Sequence, residues 1–152
     1  MAMSVAEKEN YDNLLETGLQ FQDYITDKLR RENGMILTHY SSKKYQYNVG
    51  ENPQGVEIKY DAPASTTGNL LVEIEERTSA SGEWVKSGIY RGDNSIFYLI
   101  GNYDDAYLFD IRTLRKIHKN KQYLRDHSTE TGRFFLLEKE RVEKENLSLM
   151  KI

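Results

Sequence analysis

An α/β or α+β domain around a mixed sheet is the fold class this sequence predicts, and three observations predict it. Residues 56–61 and 70–75 alternate apolar and charged side chains with period two, the signature of half-buried strands. Three more short apolar runs follow, separated by turn-forming residues. Segments with helical spacing open the chain and recur near its end, giving the order helix, strands, helix, strand, helix.

Residues 5–33 read as a long helix. Leu14, Leu15, Leu19, Tyr24, Ile25 and Leu29 recur at helical spacing, and Gly34 follows Arg30-Arg31 as a C-terminal stop. Met35–Tyr40 is expected to be a first strand and Gly50–Gly55, with Pro53, a loop. Val56–Asp61 and Leu70–Glu75 are strands joined by the loop Ala62–Asn69. Trp84–Tyr90, Ile96–Ile100 and Tyr107–Ile111 are further strands, divided by Gly92-Asp93-Asn94 and by Asn102–Asp105. Arg112–Leu124 is expected to be helical, Arg133–Leu137 a last strand and Glu138–Asn146 a charged terminal helix. No repeat and no Pro/Gly/Ser-rich linker interrupts the 152 residues, so one domain over 1–152 is expected.

Composition excludes several classes. Hydrophobic residues make up 38% and charged residues 30%, with 2 Pro, 11 Tyr, 5 Phe and 1 Trp, which argues against a disordered or collagen-like chain. The absence of cysteine removes disulfide scaffolds, thiol catalysis and Cys-based zinc sites. His39, His118 and His127 lack metal-ligand spacing, and no P-loop, GxGxxG or GxSxG is present. No apolar run reaches membrane-spanning length, and Met1–Asn10 is polar, without the apolar region of a signal peptide. A cytoplasmic protein of a bacterium or a phage-infected cell is the simplest expectation. The net charge of −3 does not advertise a nucleic-acid partner, but its distribution is uneven. Residues 51–84 carry 2 basic and 7 acidic side chains, whereas 112–125 carry Arg112, Arg115, Lys116, Lys119, Lys121 and Arg125 and no acid.

In a strand, alternate residues share a face, so Val56, Ile58 and Tyr60 oppose Glu57, Lys59 and Asp61. In the next strand Leu70, Val72 and Ile74 oppose Leu71, Glu73 and Glu75. If these strands pair antiparallel through the 62–69 loop, two registers set Glu57 directly across from Glu73 or Glu75, with Cβ atoms roughly 5 Å apart. Like charges so placed repel, and either Lys59 or a divalent cation must neutralise them. The open alternatives are a solvated polar face and a hard-cation site, since Mg²⁺ typically takes one or two carboxylates, several waters and substrate phosphates.

Gly55-Val56-Glu57-Ile58-Lys59-Tyr60-Asp61, a short loop and Leu71-Val72-Glu73-Ile74-Glu75 together resemble the core of the PD-(D/E)XK nuclease superfamily. There an acid on one strand is followed on the next by acid–x–Lys, and a leading helix often adds another acid. Ser87-Gly88-Ile89 and Phe97–Ile100 are reminiscent of small phage- and prophage-encoded members, and the resemblance covers roughly residues 14–120. It implies a restriction-endonuclease-like fold, a mixed central sheet flanked by helices. It also implies a Mg²⁺- or Mn²⁺-dependent nuclease (a hydrolase of DNA phosphodiesters, an endonuclease among the options) in phage replication, recombination or defence. On that resemblance Glu57 and Glu73 take the two acidic positions, Glu75 falls where the family has lysine, and Glu16 matches the helix acid. Glu57, Glu73, the Ile74 carbonyl and Glu16 would hold metal, Glu75 would act near the attacking water, and Lys86 or Lys59 would supply the missing positive charge. A second alignment makes Glu57-Ile58-Lys59 itself the acid–x–Lys string.

Arg112, Arg115, Lys116 and Lys119 fall at i, i+3, i+4 and i+7, one helix face suited to phosphate contacts, with Lys59 a further candidate. Lys43-Lys44-Tyr45-Gln46-Tyr47 suits stacking on unpaired bases or a plain surface loop. The expected partner is nucleic acid, DNA first, without a membrane, and a homodimer is compatible with this reading. The alternative from another class is a non-catalytic nucleic-acid-binding or protein-interaction module on the same fold.

Overall fold

A computed structural model describes residues 4–152; of the polar start, Met1–Met3 lie outside the described residues. The chain divides into two compact units, Met1–Ile36 and Leu37–Ile152. The first is a helix, α1 (Val5–Lys28), whose last turn widens into a π-turn over Leu29–Asn33. Gly34 ends it at φ +66°, a conformation glycine enters without steric cost, and its N–H donates to the Leu29 carbonyl.

The second unit holds α2 (Lys43–Asn48), β1 (Val56–Tyr60), α3 (Ala64–Thr67), β2 (Asn69–Glu76), β3 (Val85–Lys86), β4 (Phe97–Gly101) and β5 (Ala106–Asp110). It continues with α4 (Ile111–Lys119), β6 (Arg125–Ser128), β7 (Gly132–Glu138), α5 (Lys139–Lys144) and β8 (Met150–Lys151). The class is α+β, as the residue pattern predicts. The strands form two four-stranded sheets, in the orders β1-β4-β5-β8 and β3-β2-β7-β6. β1 runs parallel to β4, and the second sheet is antiparallel throughout.

That topology corrects the strand pairing. β1 does not pair with β2 through the 62–69 loop; it pairs with β4, Glu57 beside Tyr98, and β2 pairs with β7. The loop folds as α3, and Asp61 anchors the crossover between sheets. Its backbone N–H donates to the Gly101 carbonyl at 2.7 Å, and its carboxylate accepts from the Leu71 N–H at 2.8 Å.

The core joins both sheets to α4. Leu70 and Val72 of β2 and Phe135 and Leu137 of β7 pack with Tyr98 and Ile100 of β4, Tyr107 and Phe109 of β5, and Ile111, Leu114 and Ile117 of α4. β4 and β5 read as almost unbroken apolar runs because both faces are covered. Each fully buried Leu or Phe contributes roughly 1.5–3 kcal/mol relative to exposure.

Other expectations are corrected. Met35–Tyr40 is not a strand: the Thr38 N–H goes to the Gln54 side chain and the Tyr40 N–H to the Glu51 carbonyl, so no ladder forms. Trp84–Tyr90 contains a two-residue strand and a 3₁₀ turn, Gly88–Tyr90. The helix expected over Arg112–Leu124 stops at Lys119, where Asn120 caps it and Lys121 turns to φ +53°. Lys43–Asn48 is a helical turn, capped by the Ser42 hydroxyl accepting from the Tyr45 N–H at 3.1 Å. Among the described residues, no helix is long and apolar enough to cross a membrane.

Candidate functional site

Two of the acidic strand residues meet at one cation, and that cation is a lysine. Lys59 and Glu57 project from the same face of β1, and Lys59 Nζ lies 3.0 Å from Glu57 Oε1. Lys59 Nζ also lies 3.7 Å from Glu73 Oε1 on β2, so one ammonium links carboxylates from the two sheets. The Ser87 hydroxyl donates to Glu73 Oε1, and its N–H donates to the Ile74 carbonyl at 3.1 Å.

Glu57 is 1% exposed, an unusual place for a carboxylate. Its Oε1 has the Lys59 ion pair but no well-directed hydrogen bond, and Oε2 has no hydrogen-bond partner among the described residues. Burial therefore pushes the Glu57 carboxyl above its ordinary range, with Lys59 pulling it back in part. Burial acts on Lys59 in the opposite sense, but Glu57 and Glu73 outweigh it and hold the ammonium well above its ordinary value. Tyr98 is fully buried alongside, its hydroxyl likewise without a partner among the described residues, and burial keeps it neutral.

Glu51 escapes the sequence reading. Its carboxylate accepts from the Ile58 N–H at 3.2 Å, and burial followed by repulsion from Glu57 raises it to about 7. It sits in an irregular loop with no periodicity to mark it. The one available signal is its place six residues before Glu57, just after Gly50, within the acidic stretch 51–84.

Glu75 does not join this cluster. The register of β2 against β7 slips between Glu73 and Glu75, and this irregularity at Ile74 breaks the period-two rule that would set both carboxylates on one face. Glu75 instead pairs with Arg133 Nη1 at 2.7 Å and stands across from Lys86 on β3. Lys86 is exposed and lines a cavity with Glu75. The Ile74 carbonyl is engaged by Ser87, and Glu16, in the other unit, is exposed with its carboxylate accepting from Gln20 at 3.2 Å. Of the two alignments, only Glu57-Ile58-Lys59 brings a lysine to the carboxylates.

The expected convergence of Glu57, Glu73 and Glu75 on one ion is thus corrected. Among the described residues no three His, Asp or Glu side chains form a group able to hold a metal. Glu57 and Glu73 are two carboxylates, a number within the one or two that Mg²⁺ takes beside water and phosphate, and Lys59 pairs with both. Lys59 and Glu73 open onto a cavity of about 260 Å³ also lined by Tyr60, Tyr98 and Phe134.

The basic face of α4 forms as expected, and its four cations line one shallow depression. Two are already engaged: Arg112 clamps the Asp110 carboxylate at 2.6 Å, and Arg115 Nε donates to the Ile89 carbonyl at 2.6 Å. Lys116 and Lys119 are exposed. No family model, curated protein or solved structure matches the chain.

Proposed function

We propose that this protein is a metal-dependent nuclease hydrolysing DNA phosphodiester bonds at the cluster of Glu57, Lys59 and Glu73. The observation that carries the reading is the buried Glu57, whose Oε2 has no hydrogen-bond partner among the described residues while Glu73 stands across the same lysine. Leaving a buried carboxylate oxygen unsatisfied costs stability. Perturbed carboxylates held at such cost concentrate at functional sites.

In this reading Glu57 and Glu73 hold Mg²⁺ or Mn²⁺, which when bound supplies an activated water and charge neutralisation at the phosphate. Ser87 fixes the Glu73 rotamer through its hydroxyl. Lys59 draws the two carboxylates side by side and supplies positive charge toward the scissile phosphate. Lys116 and Lys119 hold the backbone of the substrate by sequence-independent contacts.

A second reading, a non-catalytic nucleic-acid-binding or protein-interaction module, draws support from one feature: Lys59 already answers both carboxylates, and Glu75 is turned away. Labelled single-stranded, duplex and branched DNA and RNA, incubated with the purified protein and Mg²⁺, Mn²⁺ or EDTA, separate the two. The nuclease reading predicts cutting with metal and none in EDTA. Retention of labelled nucleic acid without cutting under any metal would favour the module.

A further inference from the structure

A second concave site lies apart from the Glu57 cluster, and it does not depend on the hydrolytic reading. A cavity of about 350 Å³ is lined by Ile74, Glu75, Lys86, Tyr90, His118 and Lys119. That volume lies in the range of small-molecule pockets. Its wall is rigid: the His118 ring stacks on Phe135 at 5.3 Å and on Tyr123 at 5.7 Å, and meets Tyr90 edge-on at 5.4 Å.

Its polar groups are arranged for a ligand with two ends. Tyr90 Oη lies 2.7 Å from His118 Nδ1. Burial lowers the His118 pKa and raises that of Tyr90, so two neutral groups share this hydrogen bond at pH 7. Glu75 is neutralised by Arg133, which leaves Lys86 and Lys119, neither in an ion pair among the described residues, as uncompensated positive charge. A cavity with a net positive rim, in a chain of net charge −3, selects an anion. Its aromatic and aliphatic wall selects a flat apolar body behind that anion.

We propose that this cavity binds one nucleotide unit: the phosphate between Lys86 and Lys119, the base against Ile74, Tyr90 and His118. Glu75 keeps a carboxylate oxygen available to accept from an exocyclic amine. The same chemistry comes from two sources, a free nucleoside monophosphate or the phosphorylated end of a strand. Lys119 lines both this cavity and the depression on α4, so a strand lying along the helix would lead its end here.

Calorimetric titration of the full chain in EDTA tests this, with dAMP, deoxyadenosine, inorganic phosphate and a 5′-phosphorylated tetranucleotide as probes. The expected result is dAMP or tetranucleotide binding at least tenfold tighter than deoxyadenosine or phosphate alone. Lys86→Ala should weaken it about tenfold, Tyr90→Leu, which removes the flat ring, several-fold, and Lys144→Ala, exposed on α5 outside the cavity, not at all. Tighter binding of dAMP than of the tetranucleotide identifies a free nucleotide as occupant; the reverse order identifies a strand end. The proposal is overturned if neither phosphorylated probe binds at millimolar concentration, or if Lys86→Ala and Tyr90→Leu bind like the unmodified chain. Equal losses in Lys116→Ala and Lys86→Ala would also overturn it, placing the anion on the helix face.

Discussion

Glu51, raised to about 7 by burial and by Glu57, sets a pH dependence that can be worked out in sign. Between the ordinary glutamate value near 4.5 and about 7 the folded state keeps a proton that the unfolded chain has released. Stability therefore falls as pH rises through this window and levels off above it, by on the order of 2 kcal/mol. Glu57, also raised, acts in the same direction. Urea midpoints measured from pH 5 to pH 8 should show this fall, and Glu51→Gln should flatten most of it; an unchanged slope in that variant would contradict the assignment. Lys59→Met is the harsher test. It strands Glu57 in the interior, and at pH 8 should cost roughly 3–5 kcal/mol. At pH 5 the loss should shrink, because Glu57 can take up a proton. Alternation along 56–61 and 70–75 makes Glu57, Lys59 and Glu73 legible from the amino-acid sequence alone. Glu51 is not, since it lies on no periodic segment, and nothing in Trp84–Tyr90 discloses that Ser87 meets Glu73.

The irregularity at Ile74 decides which carboxylates share a site at the scale of elements. Register slips depend on how β2 meets β7, a partner some sixty residues away, so the local pattern in 70–75 could not disclose that Glu75 turns toward Arg133. Gly88 supports the same strand from the other side. It adopts φ +51°, and a Cβ there would come within 2.1 Å of the Glu73 carbonyl oxygen. Gly88→Ala should cost about 2–4 kcal/mol and release Ser87 from Glu73; thermal unfolding reports the first and loss of cleavage the second. On α4, Lys116→Ala together with Lys119→Ala should lower the salt slope of nucleic-acid binding by about two units with the melting temperature unchanged. Arg115→Ala is a poor probe of that contact, because its guanidinium holds the Ile89 carbonyl and its loss also costs stability of about 1 kcal/mol. β6 escapes sequence reading for a simple reason: Arg125-Asp126-His127-Ser128 is wholly exposed and carries no apolar alternation.

For the molecule as a whole, the α+β class is written in the order of periodic segments, whereas strand partnership is not. β1 finds its neighbour in β4, across α3, β2 and β3, and local sequence carries no record of that choice. Glu57 and Glu73, brought together around Lys59 from two sheets, form the proposed metal-dependent centre, and Glu75, paired with Arg133, stands outside it. Mn²⁺ titration by calorimetry of the unmodified protein, Glu73→Gln and Glu75→Gln measures this most directly. Replacing Glu73 by the amide removes the charge that holds a hard cation while keeping its size. The account predicts metal binding by the unmodified protein, a loss of at least tenfold in Glu73→Gln, and unchanged affinity in Glu75→Gln. An unmodified protein that takes up no metal, or a Glu75→Gln variant that loses as much as Glu73→Gln, would contradict it.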